Sequence, residues 1–193
     1  MINDFAEKAG NPITTLTVKV GQLMRSLSPK IWYELQSAVT NMSGKSSARD
    51  MLDVILLWLR RNYDYFSVEP FTSYGLYELS NVDEKLMPVE FSTFRLSDLA
   101  HFKSVILRYK AKDVEAIARF LRDTLEELVT IEIDEQCPSC DSHGMRIFIG
   151  KQNGLLAFQC NVCGHAYYSD GSKVEAGGLD FVSEVRLREL GLI

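Results

Sequence analysis

From Ile13 apolar residues recur at helical spacing along much of the chain up to Val129, and at every second position in the strands beyond it. Ile13, Leu16, Val20, Leu23, Met24 and Leu27 fall on one stripe of a helix. Ser28-Pro29 ends that pattern and opens another, because Ser suits an N-cap and Pro the first helical position. Ile31, Trp32, Leu35 and Val39 are the predicted buried face of this second helix. A polar turn covers residues 41–47, and Ser47 with Asp50 makes a variant of the capping box. The helix it opens runs through Met51, Leu52, Ile55, Leu56 and Leu59, with Val54, Leu57 and Trp58 also apolar, so a central place is predicted for it. Further on, Ser97 is expected to cap a helix carrying Leu99, Phe102, Ile106 and Tyr109. The longest amphipathic pattern is Val114, Ile117, Ala118, Leu121, Leu125 and Leu128. Its other face mixes acids with Arg119 and Arg122, as solvated faces do.

Residues 64–96 break this regularity. Tyr63, Tyr65, Phe66, Phe71, Tyr74, Tyr77, Phe91 and Phe94 are interrupted by Pro70, Gly75 and Pro88. A structureless loop of that length is unusual inside a compact domain, so the stretch holds short elements or serves as a binding segment. Its aromatic side chains either fill a core or contact a partner.

At Val129 the period changes to two. Residues 130–134 alternate polar and apolar, and 145–149 form a second strand with Ile147 and Ile149 on one side. Asn153-Gly154 is a hairpin signal returning the chain along 155–159; residues 166–169 come next, and Asp170-Gly171 makes another turn. Gly177-Gly178 ends the strands. Asp180 is expected to cap a last short helix with Phe181, Val182, Val185 and Leu190, closed by Gly191. The predicted fold class is α+β. A mostly α-helical, bundle-like domain covers 1–129, with the irregular aromatic segment at 64–96. A small antiparallel β domain with a terminal helix covers 130–193.

Composition adds little until charge is divided along the chain. The 193 residues are 46% hydrophobic and 24% charged, as in ordinary globular proteins. The formal charge is −5. Residues 131–193 hold 5 Lys and Arg against 9 Asp and Glu, a net −4, which leaves −1 for residues 1–130. The β half is therefore the acidic half. The longest apolar run, 54–59, is too short to span a bilayer, and no secretory signal is read in the opening residues. A cytoplasmic protein with no membrane association is expected.

All four cysteines lie in the β half, as Cys137-Pro138-Ser139-Cys140 and Cys160-Asn161-Val162-Cys163. The 19 residues between the pairs fall in the spacing of a zinc site. Zn²⁺ takes four ligands in a tetrahedron, and a C-x-x-C turn lets two thiolates converge on one point. Two such turns joined by a hairpin close the shell. Cys137, Cys140, Cys160 and Cys163 are thus the candidate ligands of a structural zinc ion, with iron as the other occupant the ligands would suit.

This arrangement resembles a zinc ribbon over residues 131–175. Cys163-Gly164 matches the ribbon turn, in which a Gly after the second Cys lets backbone N–H groups approach the sulfur. Asp141 stands where that Gly is common in the first turn, and Asp tolerates the left-handed conformation. The resemblance implies a metal-stapled unit of the kind that often contacts nucleic acid.

Other motifs carry less. His143 and His165 flank the cysteine turns, but four thiolates already complete a shell. His101 sits early in a predicted helix. Ser43-Gly44-Lys45-Ser46 lacks the upstream Gly of a phosphate loop: Val39 occupies that position, within a helix. No hydrolase motif is present and no cysteine remains as a nucleophile. The expectation is a non-catalytic protein-binding module, by analogy with small acidic immunity proteins and antitoxins, whose partner would be a basic toxin or nuclease. The alternative is a nucleic-acid-binding or transcription-related protein. The acidic ribbon weighs against it, because phosphate contact needs a cationic face.

Overall fold

The computed structural model describes residues 27–193. The stripe from Ile13 to Met24 lies outside the described residues. The chain from Leu27 onward is an α+β fold in which helices precede a small antiparallel sheet and a short helix closes the chain.

Helices α1 (Pro29–Thr40) and α2 (Ala48–Arg61) begin as their sequences predict. Pro29 takes the first turn of α1. At α2 the Ser47 hydroxyl accepts from Asp50 N–H at 3.1 Å, and the Asp50 carboxylate accepts from Ser47 N–H at 2.7 Å. The capping box therefore closes in both directions. α2 buries Met51, Leu52, Ile55, Leu56, Trp58 and Leu59. Leu57 remains half exposed, so the helix is central on one face rather than all round.

Residues 64–96 contain no strand. They fold as the short helices α3 (Tyr63–Phe66) and α4 (Leu76–Ser80) and three 3₁₀ turns, Thr72–Tyr74, Glu84–Leu86 and Val89–Phe91. Two arginines of α2 hold this segment by its backbone. Arg60 donates to Ser80 O (2.9 Å) and Val82 O (2.6 Å) and pairs with Glu84, while Arg49 donates to the Glu84 and Met87 carbonyls. The Arg60 bonds reach carbonyls at and after the end of α4, while Glu84 O and Met87 O also accept from the Met87 and Val89 N–H groups. The aromatic residues divide between core and surface. Phe66, Phe71 and Phe94 are buried, Tyr65, Tyr74 and Tyr77 are half-buried, and Tyr63 and Phe91 are exposed. Core filling is their main part.

α5 (Leu96–Ile106) starts one residue before Ser97. Its N-cap is Arg95, whose N–H is taken by the Asp98 carboxylate. Arg95 has no short acceptor side chain of the kind that marks a cap in sequence, which is why Ser97 is the more obvious candidate. Trp32 and Gln36 of α1 donate to carbonyls at the end of α5: Trp32 to Tyr109 O at 2.8 Å and Gln36 to Ile106 O at 2.8 Å. α6 (Val114–Val129) then buries every apolar position predicted for it. The charged face carries i,i+4 pairs, Glu115 with Arg119 and Arg122 with Glu126.

Strands β1 (Glu132–Gln136), β2 (His143–Gly150), β3 (Leu156–Cys160), β4 (Ala166–Tyr168) and β5 (Leu179–Phe181) form one antiparallel sheet. β1 to β4 are adjacent in chain order, and β5 pairs with β2. Residues 179–181 are thus a strand, and the last helix, α7 (Glu184–Glu189), starts later than its predicted cap. Ser183, not Asp180, caps it, accepting from Arg186 N–H at 3.2 Å. Gly191 closes it with φ 68°. Asn153-Gly154 turns the β2–β3 hairpin, with Gly154 at φ 66°.

The helices share one large buried cluster running from Leu27 to Val129. The sheet carries three small ones. Ile131, Ile147, Val182 and Leu187 join it to α7, and Phe148, Ala157 and Tyr168 lie on its other face. Cys137, Met145 and Cys160 form the third. Ion pairs and apolar contacts connect the sheet side to the helices. Arg146 reaches Glu126 of α6 at 3.3 Å and also pairs with Glu127 at 3.8 Å, Phe181 packs against the helical cluster, and the Arg188 guanidinium lies 5.1 Å from the Phe91 ring.

Candidate metal centre

The two cysteine turns adopt the same backbone geometry. In the first, Asp141 N–H donates to Cys137 O (3.0 Å) and Cys137 N–H to Ser142 O (2.8 Å). In the second, Gly164 N–H donates to Cys160 O (3.0 Å) and Cys160 N–H to His165 O (2.9 Å). Each turn closes on one residue in the left-handed region, Asp141 at φ 59° and Gly164 at φ 72°. Asp141 is the only non-glycine residue with positive φ among those described. It therefore takes the part of the glycine expected there. Within the turns, backbone N–H groups point at sulfur: Ser139 N lies 3.4 Å from Cys137 Sγ, and Val162 N 3.4 Å from Cys160 Sγ.

The hairpin between β2 and β3 brings these turns together. The four Sγ atoms all lie within 4.8 Å of one another. Across the pairs, Cys137 and Cys163 are 3.7 Å apart, and Cys140 and Cys160 3.6 Å. A tetrahedron with Zn–S bonds of about 2.3 Å has sulfur–sulfur edges of about 3.8 Å. All-thiolate donors at that spacing are close enough to hold a metal ion, and they fit zinc. Cys137 and Cys160 are buried, while Cys163 is exposed.

Crowding four thiols separates their acidities. The Ser142 hydroxyl and backbone N–H hydrogen-bond the Cys140 sulfur and lower its pKa to about 6. Backbone bonding from Cys163 lowers Cys160 as well. At Cys163 the His165 backbone N–H pulls the other way, but desolvation and the three neighbouring thiols outweigh it and push the pKa up to about 11. Four thiolates cannot sit together without a cation to offset them. A bound divalent ion displaces the remaining protons.

The histidines stay outside this cluster. His143 Nδ1 pairs with Asp134 Oδ1 at 2.9 Å on the exposed side of β1, and the His165 ring lies 6.0 Å from Tyr167. His101 is exposed on α5. Ser43-Gly44-Lys45-Ser46 is the polar turn between α1 and α2. The spacing of the cysteines gives no hint of a further bond, in which the Glu132 carboxylate on β1 accepts from Asn161 Nδ2 at 2.6 Å. The signal that finds it is register: the hairpin pairs Met145 with Cys160, and so sets Gly144 across from Asn161.

A cleft of about 510 Å³ opens beside the second cysteine turn, lined among others by Arg122, Glu126, Phe148, His165, Lys173 and Asp180. Its charges are mixed, and Arg122 is already paired with Glu126 at 2.9 Å. Among the described residues no helix is long and apolar enough to cross a membrane. No family model, curated protein or solved structure matches the chain.

The matching turns make one substitution informative. A Cβ at Gly164 would meet nothing within 4 Å, so only the backbone resists it. Gly164→Ala is expected to cost about 1–2 kcal/mol, the penalty of the left-handed region. Gly164→Asn should cost less, as Asp141 already shows for the equivalent position. Thermal melts of the metal-loaded variants give this order; equal losses for Ala and Asn would show that the turn is limited by something other than φ.

Proposed function

We propose that the chain is a non-catalytic protein-binding module whose β half is stapled by a structural zinc ion bound to Cys137, Cys140, Cys160 and Cys163. The sulfur spacing of 3.6 and 3.7 Å across the two pairs supports the metal part of this reading. Four thiolates fill a tetrahedral shell and leave no position for water or substrate, so the ion holds structure and performs no chemistry. Reduced thiols of this kind suit a cytoplasmic protein.

The choice of a protein partner rests on charge. Asp134, Glu135 and Asp141 are exposed around the first cysteine turn, and no Lys or Arg lies between Glu132 and Met145. Three of the five cations in residues 131–193 are in ion pairs: Arg146 with Glu126, Arg186 with Glu189 and Arg188 with Glu184. That surface repels a phosphate backbone and suits a basic protein. A toxin or nuclease neutralised by an immunity or antitoxin-type protein is the partner class we favour.

The metal-loaded full chain, used as bait in extract of its native host, should retain one basic protein in stoichiometric amount. The triple variant Asp134→Lys, Glu135→Lys, Asp141→Lys should lose it. Retention that survives charge reversal removes the acidic surface from the proposal. Recovery of nucleic acid instead, with affinity falling steeply as salt rises, would replace the proposal altogether.

A further inference from the structure

β2 lies between β1 and β3, yet a side chain of β1 bonds to the turn beyond the end of β3. Glu132 Oε2 accepts from Asn161 Nδ2 at 2.6 Å. The bond crosses β2 directly over Gly144. A Cβ built there would fall in the Glu132 carboxylate, 2.9 Å from its Cδ, and 3.3 Å from Asn161 Nδ2. Gly144 also has φ 97°, a conformation that other residues rarely adopt. The missing side chain is therefore the gap through which the carboxylate passes.

The two ends of this bond belong to different halves of the metal centre. Glu132 opens β1, the strand that delivers Cys137, and Asn161 stands between Cys160 and Cys163. Each cysteine turn is shaped by its own hydrogen bonds, but those bonds do not set the distance between the turns. The ladders must do that. The β2–β3 ladder is regular up to Met145–Cys160, whereas the β1–β2 register shifts between Ile133 and Gln136, just before Cys137. The first turn is thus delivered by an irregular ladder. The Glu132–Asn161 bond ties to the second turn the regular start of β1, from which the irregular stretch leaves for Cys137.

We infer that Glu132 and Asn161, crossing over Gly144, form a clamp that positions the two cysteine pairs for the metal. This rests on the reading of the four thiols as a metal centre. Groups that orient ligands without touching the ion are worth about 10–100-fold in affinity, because they remove ordering that binding would otherwise have to supply. The clamp works by geometry and not by charge, since a carboxylate beside four thiolates is electrostatically unfavourable.

Cobalt(II) titration of the full chain, monitored by thiolate-to-metal absorption under chelator competition, separates these roles. Asn161→Ala and Glu132→Ala should each weaken cobalt binding about 10–100-fold, and the double variant should be no weaker than either single one. Glu132→Gln keeps an acceptor oxygen without the charge, and should bind within about threefold of the parent chain or more tightly. Amide spectra of the loaded variants should keep the parent dispersion, which separates lost positioning from lost folding. A parent chain that binds cobalt while Asn161→Ala binds equally well overturns the clamp alone. Loss of affinity in Glu132→Gln matching that of Glu132→Ala also overturns it. A parent chain that gives no thiolate absorption overturns the metal centre and the clamp together.

Discussion

Cys160→Ser is expected to abolish metal binding and to unfold residues 131–175, while the helices keep their signal. Cys160 is buried among Cys137 and Met145, and its sulfur accepts from the Val162 and Cys163 N–H groups at 3.4 and 3.5 Å. Losing it removes one ligand of four and the centre of the second turn. Apparent binding free energies for structural zinc in small peptides reach about 10–16 kcal/mol at neutral pH, and that energy is folding energy. The sheet has little to put in its place. Its three clusters hold only four, three and three buried residues, against the continuous cluster of the helical half. Both tryptophans of the chain, Trp32 and Trp58, lie in that helical cluster, so their emission should not change. Metal content, tryptophan emission and amide dispersion together give the answer. Full dispersion of the sheet resonances in the metal-free variant would sink the structural role of the ion.

Phe66→Ala should have the converse effect, destabilising the helices by about 3–5 kcal/mol. Phe66 is fully buried at the end of α3, with its ring edge-on to Trp58 at 5.4 Å and to Phe71 at 5.0 Å. Trp58 in turn meets Trp32 at 6.1 Å and donates from its indole to Ile31 O at 2.9 Å. Removing the ring leaves a cavity among large rigid groups that cannot collapse into it. Denaturant titration by tryptophan emission reads the loss directly. The same variant also tests the division of the chain at residue 130. If residues 130–193 fold as their own unit, metal stoichiometry should be unchanged while the helical midpoint falls. A matched fall in both would place the two halves in one cooperative transition. A loss below about 1 kcal/mol would show that the site repacks.

Elements set by neighbours in sequence were legible, and those set by distant partners were not. The capping box of α2 needs only Ser47 and Asp50, three residues apart, and the hairpin needs only Asn153 and Gly154. Asp141 could be placed in the left-handed region because its turn repeats that of Gly164. β5 is different. Three residues of alternation are too few to announce a strand, and its pairing with Phe148, Ile149 and Gly150 spans some thirty residues. Asp180 therefore looked like a cap, although Ser183 is the one that bonds. Residues 80–87 of the irregular segment are held by Arg49 and Arg60 from the preceding helix, which no local pattern shows. The same holds at the metal centre. The four cysteines are read from spacing alone, whereas the Glu132–Asn161 bond joins residues 29 positions apart.

The closed set of four thiols has an effect on how the molecule migrates in an electric field. A divalent ion held by four thiolates leaves about two units of negative charge behind. Loading the centre therefore makes the β half more anionic than its carboxylates alone, although a cation has been added. The formal −5 of the chain counts every cysteine as neutral, so the loaded protein should focus at a lower pH than its composition implies. Isoelectric focusing before and after chelation would show this as a higher focusing pH for the stripped chain, because free thiols are protonated near pH 5.3. A metal bound there would thus sharpen the charge contrast between the two halves as well as hold one of them folded.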